Sequence, residues 1–421
     1  MKKNTFSILF LMVFLSTGLF AQPINELTSD EKKDGWKLLF NGKNTDGWRG
    51  YNMKQMPPLW KVEDGCLITS GNESGSDMSG DIVTNELYED FDLSIDWKIS
   101  VGGNSGIFFH VLEGNYPAPY FTGPEYQLID DVGFPQKLEE WQQAGANYAM
   151  HNADKTKKKL KPAGEFNTLR IQVKNGHVIH WLNGEIIVEY DLWTDDWYRL
   201  SRDGKWKDFP DYGLARKGCI GLQDHGSPVY FRNIKIKDLT EKGSLLFNGK
   251  NLDGWKIHGN GTWKADHNIL LASSGDDKGY SYLATEQEYR DFTLRLRFML
   301  EDQGNSGVFF RSVLTGTDIK GWQVEVAPPG ENTGGIYESG GRGWLAEIPD
   351  EKEKILSMED WNDLVIVLKD NRVMVWLNNH MMTDLKDDQI ALGNGKIALQ
   401  MHSGGGVAVA WKDIYLKQIS N

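Results

Sequence analysis

One short sequence occurs twice in this chain, and each copy follows a run that alternates between apolar and polar residues. Gly-Asn-Ser-Gly-Ile-Phe-Phe occupies residues 103–109, and Gly-Asn-Ser-Gly-Val-Phe-Phe occupies residues 304–310. Period-two alternation over residues 91–100 and 292–300 is typical of a strand with one face in a core and the other in water. Because Gly and Asn adopt positive φ at little cost, the Gly-Asn-Ser-Gly unit predicts a chain reversal between two strands.

Other landmarks repeat in the same order. They are an Asn-Gly-Lys-Asn opening (residues 38–48 and 245–255), a Trp-centred strand (60–62 and 263–265), the Gly-Asn-Ser-Gly unit, a Trp-Leu-Asn turn (181–184 and 376–379), a Leu-Gln-X-His sequence (222–226 and 399–403) and a closing strand (229–237 and 407–417). Six landmarks in one order predict two domains of the same fold, at residues 30–240 and 241–421. The short junction near residues 240–244 predicts that the two domains pack together.

The elements within each domain are predicted to be almost all strands. Asn175-Gly176 and Asn183-Gly184 separate alternating runs, which is a strong hairpin signal, and helical periodicity is scarce. Many short antiparallel strands joined by such turns predict an all-β chain of two-sheet sandwiches. Two irregular stretches, at residues 114–161 and 315–360, are too long for simple connections, so we expect functional groups there.

Residues 1–21 have the pattern of a secretory signal. Lys2 and Lys3 provide a basic start, residues 8–15 are mostly apolar, and Ala21 is a suitable cleavage position. A membrane-spanning helix is the alternative, but a Ser-Thr-Gly sequence interrupts an apolar stretch that is already short for a bilayer. We therefore expect an exported protein, and a periplasmic location in particular.

Charge and short motifs exclude several classes of function. The formal net charge is −13, and removal of Lys2 and Lys3 with the signal would make it −15. Such an acidic, aromatic-rich protein is not expected to bind nucleic acid, whereas neutral sugars fit its composition. The sequence has no Gly-X-Gly-X-X-Gly motif and no P-loop, so no nucleotide cofactor is expected. It also has no Gly-X-Ser-X-Gly nucleophile elbow, and no Cys-X-X-Cys pair that would indicate a structural zinc site. Cys66 and Cys219 lie in strand-like runs, and export would permit a disulfide between them.

The repeated motifs resemble those of a known family. The opening motif, the Gly-Asn-Ser-Gly-Ile-Phe-Phe unit, Glu-Tyr-Gln-Leu-Ile-Asp at residues 125–130 and Leu-Gln-Asp-His-Gly before residues 231–234 are similar to the 3-keto-glucoside 1,2-lyase/3-keto-2-hydroxy-glucal hydratase family. Its members are also called 3-keto-disaccharide hydrolases. The resemblance covers both copies and implies concanavalin-like jelly-roll sandwiches. It also implies cleavage of glycosides whose C3 hydroxyl a partner oxidoreductase has already oxidised to a ketone.

The two copies differ at positions that could carry chemistry. Where the first has Glu125, Gln127, Asp130, His110 and Arg232, the second has Gln323, Glu325, Pro328, Arg311 and Lys412. The first copy keeps the family pattern more closely. We therefore expect the first domain to be catalytic and the second to be a degenerate or auxiliary sugar-binding copy.

The implied reaction needs a base at C2, an electrophile near the C3 oxygen and an acid at the leaving oxygen. The catalytic candidates are Glu125, Asp130 and His151. The candidates for substrate binding are Asn104, His110, Gln127, Trp141, His225 and Arg232. For the carboxylates the structural alternative is a solvated strand edge, for His151 an incidental loop position, and for His225 a structural hydrogen bond that recurs at His402.

Three further questions stay open at this point. A divalent metal ion could be held by His110, Glu125, Asp130, His151 and His225, although no local ligand spacing indicates one. A structural calcium ion is a second possibility. The alternatives to the lyase function are a non-catalytic carbohydrate-binding protein and a conventional glycoside hydrolase that uses Glu125 and Asp130.

Overall fold

The computed structural model describes residues 23–70, 80–301, 304–358 and 360–419, so the secretory signal predicted at residues 1–21 lies outside the described residues. The first domain contains β1 (Trp36–Leu38), β2 (Trp48–Gly50), β3 (Trp60–Glu63), β4 (Cys66–Thr69), β5 (Ile82–Thr84), β6 (Phe91–Ile99), β7 (Asn104–Val111), β8 (Glu125–Ile129), β9 (Asn167–Lys174), β10 (His177–Leu182), β11 (Glu185–Asp191), β12 (Cys219–Leu222) and β13 (Val229–Asp238). The second contains β14 (Ser244–Leu245), β15 (Trp255–His258), β16 (Thr262–Asp266), β17 (Ile269–Ser273), β18 (Ser281–Thr285), β19 (Phe292–Leu300), β20 (Ser306–Thr315), β21 (Asp318–Val326), β22 (Ile336–Ser339), β23 (Gly343–Ala346), β24 (Asn362–Lys369), β25 (Arg372–Leu377), β26 (His380–Lys386), β27 (Lys396–Met401) and β28 (Ala408–Gln418).

Helices are few and short. The α-helices are α1 (Ser29–Lys33), α2 (Asp195–Asp203), α3 (Asp350–Glu353) and α4 (Asp388–Ala391), and 3-10 turns occur at Pro119–Phe121, Glu140–Gln142 and Lys205–Asp208. None of the helices in the described ranges is long and apolar enough to cross a membrane.

Each domain is a sandwich of two antiparallel sheets. In the first domain the large sheet has the order β11-β10-β9-β6-β13-β4-β3, with β1 also on β13, and the small sheet has the order β2-β5-β12-β7-β8. In the second domain the large sheet is β16-β17-β28-β19-β24-β25-β26, with β14 on β28, and the small sheet is β15-β18-β27-β20-β21-β22-β23. The prediction of an all-β chain with two tandem jelly-roll sandwiches is confirmed.

The core of the first domain lies between its two sheets. β6 supplies Phe91, Leu93, Ile95, Trp97 and Ile99, each 3% exposed or less. Ile107 and Phe109 of β7 meet them from the small sheet. Burial of each aliphatic or aromatic side chain of this kind stabilises the fold by roughly 1.5–3 kcal/mol. The alternation that predicted a strand at residues 91–100 is thus the pattern of core contacts.

The opening motif fixes a turn in both domains. The side-chain oxygen of Asn41 accepts hydrogen bonds from the backbone N–H groups of Lys43 at 2.8 Å and Asn44 at 3.0 Å. The indole N–H of Trp48 then donates to the Leu39 carbonyl at 2.6 Å. Asn248, Lys250, Asn251, Trp255 and Leu246 make the same contacts in the second domain. This repeat is therefore a structural device, which ties the first turn to the sandwich.

The prediction that the Gly-Asn-Ser-Gly unit forms the chain reversal was wrong. β7 already begins at Asn104, and the left-handed residue of the reversal is Gly102 (φ 68°), which precedes the repeated unit. The N–H of Gly103 donates to the Ser100 carbonyl at 3.0 Å and closes the turn. Gly106 therefore lies inside a strand, where positive φ is not the reason for a glycine.

The two domains pack together, as the short junction predicts. The carboxylate of Glu89, in the first domain, forms an ion pair with Arg216 of the same domain, with Nε 2.5 Å from Oε1. It forms a second ion pair across the interface with Arg295, with Nη1 2.7 Å from Oε2. The indole N–H of Trp376 crosses in the opposite direction and donates to the Leu214 carbonyl at 2.9 Å. A buried carboxylate with two guanidinium partners is costly to break, because its removal would leave buried charges unpaired.

The two cysteines are free thiols in the structure. Cys66 belongs to β4 of the large sheet and Cys219 to β12 of the small sheet, and both are buried. The disulfide that export would permit is not formed. Burial raises the pKa of the Cys219 thiol to about 12, which keeps it protonated and unreactive.

Candidate active site on the small sheet of the first domain

Glu125 and Gln127 lie on the side of the small sheet that faces away from the core, which we call the outer face. Polar and apolar residues alternate from Glu125 to Leu128 in β8, and the apolar Tyr126 and Leu128 are buried between the two sheets. Successive side chains of a strand point to opposite sides, so the residues between them are directed outward. Glu125 is nevertheless only 5% exposed and Gln127 only 3%, because other parts of the chain cover them.

Gly106 makes room for the side chain of Glu125. β7 and β8 pair so that Gly106 is opposite Gln127. A Cβ atom on Gly106 would overlap Oε1 of Glu125, and a Cβ on Gly307 of the second domain would likewise overlap Nε2 of Gln323. The second glycine of the repeated unit is thus required because a neighbouring side chain occupies its side of the sheet.

The side chain of Glu125 is almost completely buried. In the described part of the chain, no side-chain or backbone group donates a hydrogen bond to it. Burial raises its pKa to about 8, the positive charge of Lys205 lowers it, and the carboxylate of Asp81 raises it. A carboxyl group with a pKa near neutrality and no fixed partner is suited to proton transfer.

Amide side chains form a row beside Glu125. The backbone N–H of Gln223 donates to the Gly106 carbonyl at 2.9 Å, so Gln223 lies beside Gly106. Gly106 is in turn opposite Gln127 on the next strand. Asn104 lies on the same side of β7 as Gly106, two residues earlier. The side-chain oxygens of Asn104 and Gln223 are buried and, within the described residues, accept no hydrogen bond. Unpartnered buried acceptors of this kind are suited to ligand hydroxyl groups.

Aromatic rings and one lysine cover the other side of Glu125. The backbone N–H of Tyr148 donates to the Glu125 carbonyl at 3.0 Å, and the Tyr148 ring lies 5.3 Å from that of Trp141. Lys205 Nζ is 4.1 Å from the centre of the Tyr148 ring. Trp206 stacks on Tyr212 at 4.0 Å, and the charge of Glu125 acts on the Tyr212 phenol. These rings form a wall of the kind that packs against the C–H faces of sugars.

The segment between β11 and β12 supplies much of this cover. Residues 192–218 form α2, the 3-10 turn Lys205–Asp208 and a following loop. Thr194 caps α2 by accepting a hydrogen bond from the Trp197 N–H at 3.2 Å. In the second domain the corresponding interval is residues 387–395 and contains only α4. This segment, with Lys205, Trp206 and Tyr212, is therefore specific to the first domain.

Asp130 is not brought to the outer face with Glu125. It follows the last residue of β8, and its carboxylate accepts the N–H of Gly102 at 2.9 Å and that of Val132 at 3.2 Å. Burial acts to raise its pKa, but the backbone N–H groups of Gly102, Gly133 and Val132 outweigh that effect and lower it. Asp130 lines a different cavity, of about 650 Å³, at the end of the sandwich. Asp130 therefore connects the loop that contains Gly102 to the loop that follows β8.

His151 belongs to an aromatic stack. Its ring lies 4.5 Å from the ring of Tyr190 at an angle of 12°, and Asn147 Nδ2 is 3.1 Å from its Nδ1. Burial lowers the pKa of His151 to about 4, and Asp196 is the neighbouring charge that acts on it. The imidazole is therefore neutral at pH 7. The structure does not place it beside the carboxyl group of Glu125.

His110 and Arg232 also lie away from the outer face. His110 is 1% exposed, its Nε2 is 2.7 Å from the Glu89 carbonyl, and burial lowers its pKa to about 4. Arg232 is in the large sheet, where its guanidinium lies 3.7 Å from the centre of the Phe166 ring and 3.5 Å from Asp96. Lys412 and Trp361 make the same contact in the second domain at 3.8 Å. Both positions are consistent with structural roles.

Trp141 and His225 are the last two of the residues predicted to bind substrate. Trp141 is on the aromatic wall, and His225 is exposed two residues beyond Gln223. Among the described residues, no three His, Cys, Asp or Glu side chains come together to hold a metal ion. The proposed ligands are divided among the outer face, the aromatic stack, the interior and the sandwich end. They do not form a metal centre in this arrangement.

The sequence profile of the family described as the 3-keto-alpha-glucoside-1,2-lyase-like domain matches residues 35–237 and again residues 243–417. The chain belongs to this family. Both sandwiches are therefore 3-keto-alpha-glucoside-1,2-lyase-like domains, and Glu125 and the wall around it lie within the first match.

Individual relatives are similar to about half of the chain. A 3-keto-disaccharide hydrolase of Bacteroides thetaiotaomicron is 35% identical over 253 residues, which cover 54% of this chain and 86% of the relative. A crystal structure of a candidate glycosyl hydrolase from Parabacteroides distasonis is 45% identical, covers 52% of this chain and 100% of its own, and has a TM-score of 0.49. A second one from the same organism is 31% identical, covers 48% of this chain and 99% of its own, and has a TM-score of 0.37.

The two lyase-like domains carry their outer-face carboxyl groups at different positions. In the first, Glu125 is opposite Phe108 across the β7–β8 pair. In the second, Glu325 is opposite Gly307 across the β20–β21 pair, and Gln323 takes the place of Glu125. The exchange that the sequences show thus moves the carboxyl group by two residues along the strand, on the same side of the sheet.

Sequence reasoning missed several neighbours of Glu125 in the first lyase-like domain. They are Asp81, Tyr148, Lys205, Tyr212 and Gln223. Gln223 could have been identified from the sequence, because it recurs as Gln400 inside a repeated motif. Lys205 and Tyr212 could also have been identified, since the tryptophan- and tyrosine-rich segment that contains them is absent from the second copy. Comparison of the lengths of the two copies would have shown that segment.

Proposed function

We propose that the chain cleaves glycosides of 3-keto-glucose on the outer face of the first domain, with Glu125 as the base. The observation that carries this proposal is the carboxyl group of Glu125, which is buried, accepts no hydrogen bond from the described residues and has a pKa raised to about 8. Membership of the 3-keto-alpha-glucoside-1,2-lyase-like family supports the choice of substrate class. The 3-keto-disaccharide hydrolase among the relatives supports net hydrolysis.

The proposed reaction begins with transfer of the C2 proton to the Glu125 carboxylate. The ketone at C3 acidifies that proton, and the electron pair of the C2–H bond forms an enolate. The enolate then expels the substituent at C1: the C3 ketone is restored, a C1–C2 double bond forms, the C1–O bond breaks, and the leaving oxygen takes a proton from water. Addition of water to this unsaturated sugar completes a net hydrolysis. A base with a pKa near the working pH favours the first step.

Lys205 is proposed to stabilise the enolate. A positive charge near the C3 oxygen lowers the energy of the charge that develops there. Lys205 already acts electrostatically on Glu125, so its ammonium group is close enough to influence the same site. Its contact with the Tyr148 ring holds the long side chain over the outer face.

The remaining groups are proposed to bind the sugar. The oxygens of Asn104 and Gln223 would accept hydrogen bonds from ring hydroxyls, and Gln127 lies on β8, on the other side of β7 from Gln223. The wall that contains Trp141 would pack against the C–H face of a ring. Asp130 lies at the sandwich end, which disfavours conventional hydrolysis by two carboxylates that flank one bond.

The reaction requires a ketone that this chain is not expected to make. The sequence carries no dinucleotide-binding motif, so a partner sugar 3-oxidoreductase is proposed to supply the oxidised glycoside. The secretory signal predicted at residues 1–21 leads to the proposal that the reaction takes place outside the cytoplasm.

The test compares a 3-keto-glucoside with the unoxidised glucoside and measures release of the aglycone. Cleavage of the keto sugar alone is expected. Glu125→Gln is expected to reduce kcat by at least about a hundredfold, the usual size of a general-base contribution. Glu63→Gln is the matched control, because Glu63 is exposed on β3 and forms an ion pair with Lys61, which is also exposed. Full activity of the Glu125 variant, or equal cleavage of both sugars, would contradict the proposal.

A further inference from the structure

The second domain contains a cavity of about 350 Å³ on the outer face of its own small sheet, which we call the second pocket. The polar groups that line it include Asn305, Glu325, Gln400 and His402, and the aromatic groups include Tyr280 and Trp344. It is large enough for one sugar ring with its hydroxyl groups.

Two side-chain acceptors in the second pocket are buried and have no hydrogen-bond partner among the described residues. The side-chain oxygens of Asn305 and Gln400 are buried and, in the described part of the chain, accept no hydrogen bond. They occupy the same repeat positions as Asn104 and Gln223, whose oxygens are also unpartnered. A buried acceptor without a partner costs about 1–3 kcal/mol, so its presence in both domains points to hydroxyl groups of a ligand.

Aromatic faces border the second pocket. The hairpin β22–β23 extends the small sheet at β21 and carries Tyr337 and Trp344, whose rings are 5.2 Å apart. Trp344 and Tyr280 are both 38% exposed, which is high for such large rings. Tyr280 is anchored by His402, with its hydroxyl 3.2 Å from Nε2. Partly exposed rings around polar acceptors are typical of sugar sites.

The carboxyl group in the second pocket is that of Glu325, which accepts two hydrogen bonds, whereas the carboxyl group of Glu125 accepts none from the described residues. Asn305 Nδ2 donates to Glu325 Oε1 at 2.5 Å, and Gln323 Nε2 donates to Oε2 at 2.6 Å. Both oxygens are therefore engaged. The charge that faces Glu125 in the first domain is also missing, because the lining of the second pocket includes no Lys or Arg among the described residues.

We propose that the second pocket is a separate binding site for a neutral sugar residue and that it does not cleave the sugar. The unpartnered amide oxygens would accept ring hydroxyls, and Trp344 would pack on a C–H face. Asp318 and Glu325 are the acidic residues in the lining, and no Lys or Arg of the described residues lines it, so the second pocket offers no side chain of that kind to hold an anionic sugar. The chain would then hold a carbohydrate at one site and cleave it at another, which rests in part on the proposed function of the first domain.

The test uses the full chain with Glu125→Gln, so that no turnover interferes. Maltose and trehalose are titrated as neutral probes, and tryptophan fluorescence and heat release are measured. We expect saturable binding that Trp344→Ala weakens by at least about tenfold. Asn305→Ala is expected to weaken it in the same way. Trp361→Ala is the matched control, because Trp361 packs on Lys412 on the large sheet of the same domain.

The outcomes distinguish this inference from the proposed function. No saturable binding of either sugar up to its solubility limit, or binding that Trp344→Ala leaves unchanged, would overturn the second pocket as a sugar site. Tighter binding of a uronic-acid disaccharide than of maltose would overturn its neutral specificity. Turnover of the 3-keto-glucoside by the unsubstituted chain is measured separately, so that loss of one result leaves the other standing.

Discussion

The carboxyl group of Glu125 occupies the space that a side chain at Gly106 would need. The two residues lie on neighbouring strands, and the glycine belongs to a unit that occurs in both domains. The second domain repeats the relation with Gly307 and Gln323. The repeated glycine thus marks the place where each outer face positions its principal polar side chain.

Gly106→Ala should therefore displace Glu125. We expect a loss of at least about tenfold in kcat/KM, because a small misplacement of a base is costly. Overpacking should also reduce the free energy of unfolding by about 1–3 kcal/mol. The control is Gly307→Ala, which makes the same change in the second domain and should leave cleavage of the 3-keto-glucoside unchanged. Equal losses from both variants would contradict a catalytic role confined to the first domain.

The activity should rise with pH. Because the pKa of Glu125 is about 8, most of this carboxyl group is protonated at pH 7 and cannot act as a base. We expect kcat/KM for the 3-keto-glucoside to increase through an apparent pKa near 8 and then to level off. A profile that is flat between pH 6 and pH 9 would remove Glu125 from the base role.

The stability should change in the opposite direction. The folded pKa of Glu125 lies above its ordinary value of 4.5, so the folded state favours the protonated form. Its contribution is fully present below pH 4.5 and is lost as the pH rises through about 8. Glu125→Gln should therefore unfold at a higher denaturant concentration than the unsubstituted chain at pH 8, by up to about 4 kcal/mol in the free energy of unfolding. Equal pH dependence in both proteins would contradict the burial argument.

Lys205→Met should shift the pH profile as well as lower the rate. The positive charge of Lys205 lowers the pKa of Glu125, so its removal should raise the apparent pKa of kcat/KM. We also expect kcat to decrease by about tenfold to a thousandfold, as for the loss of one electrostatic stabiliser. Lys207→Met, in the same 3-10 turn, is the matched control. A decrease in rate without a change in the pH profile would indicate a merely structural Lys205.

Asp130→Ala should act on stability. The carboxylate accepts hydrogen bonds from Gly102 and Val132, and its pKa is lowered in the folded state. That contribution is present at neutral pH and is lost only as the pH falls below the ordinary range of a carboxyl group. We expect the free energy of unfolding at pH 7 to fall by about 1–3 kcal/mol in denaturant titrations. A variant with normal stability and no turnover would return Asp130 to the catalytic set.

Local patterns were enough to predict the fold. The period-two alternation of residues 91–100 became β6, and the ordered repeats became two sandwiches of the same topology. The same alternation put Glu125 and Gln127 on one side of a strand before any contact was known. These features follow from neighbours in the sequence, because side-chain direction along a strand depends only on the backbone.

The neighbours of Glu125 were decided by the tertiary structure. Asp130 is close in sequence, yet the end of β8 turns it toward a loop, whereas Lys205 is far in sequence and lies over the site. His151 comes from the expected loop, but its ring stacks on Tyr190. The sequence by itself determined the sheets, the repeat and the strand that carries the carboxyl group. Only the tertiary structure decided which groups surround that carboxyl group, because the packing of a loop depends on contacts between distant parts of the chain, and no local period records them.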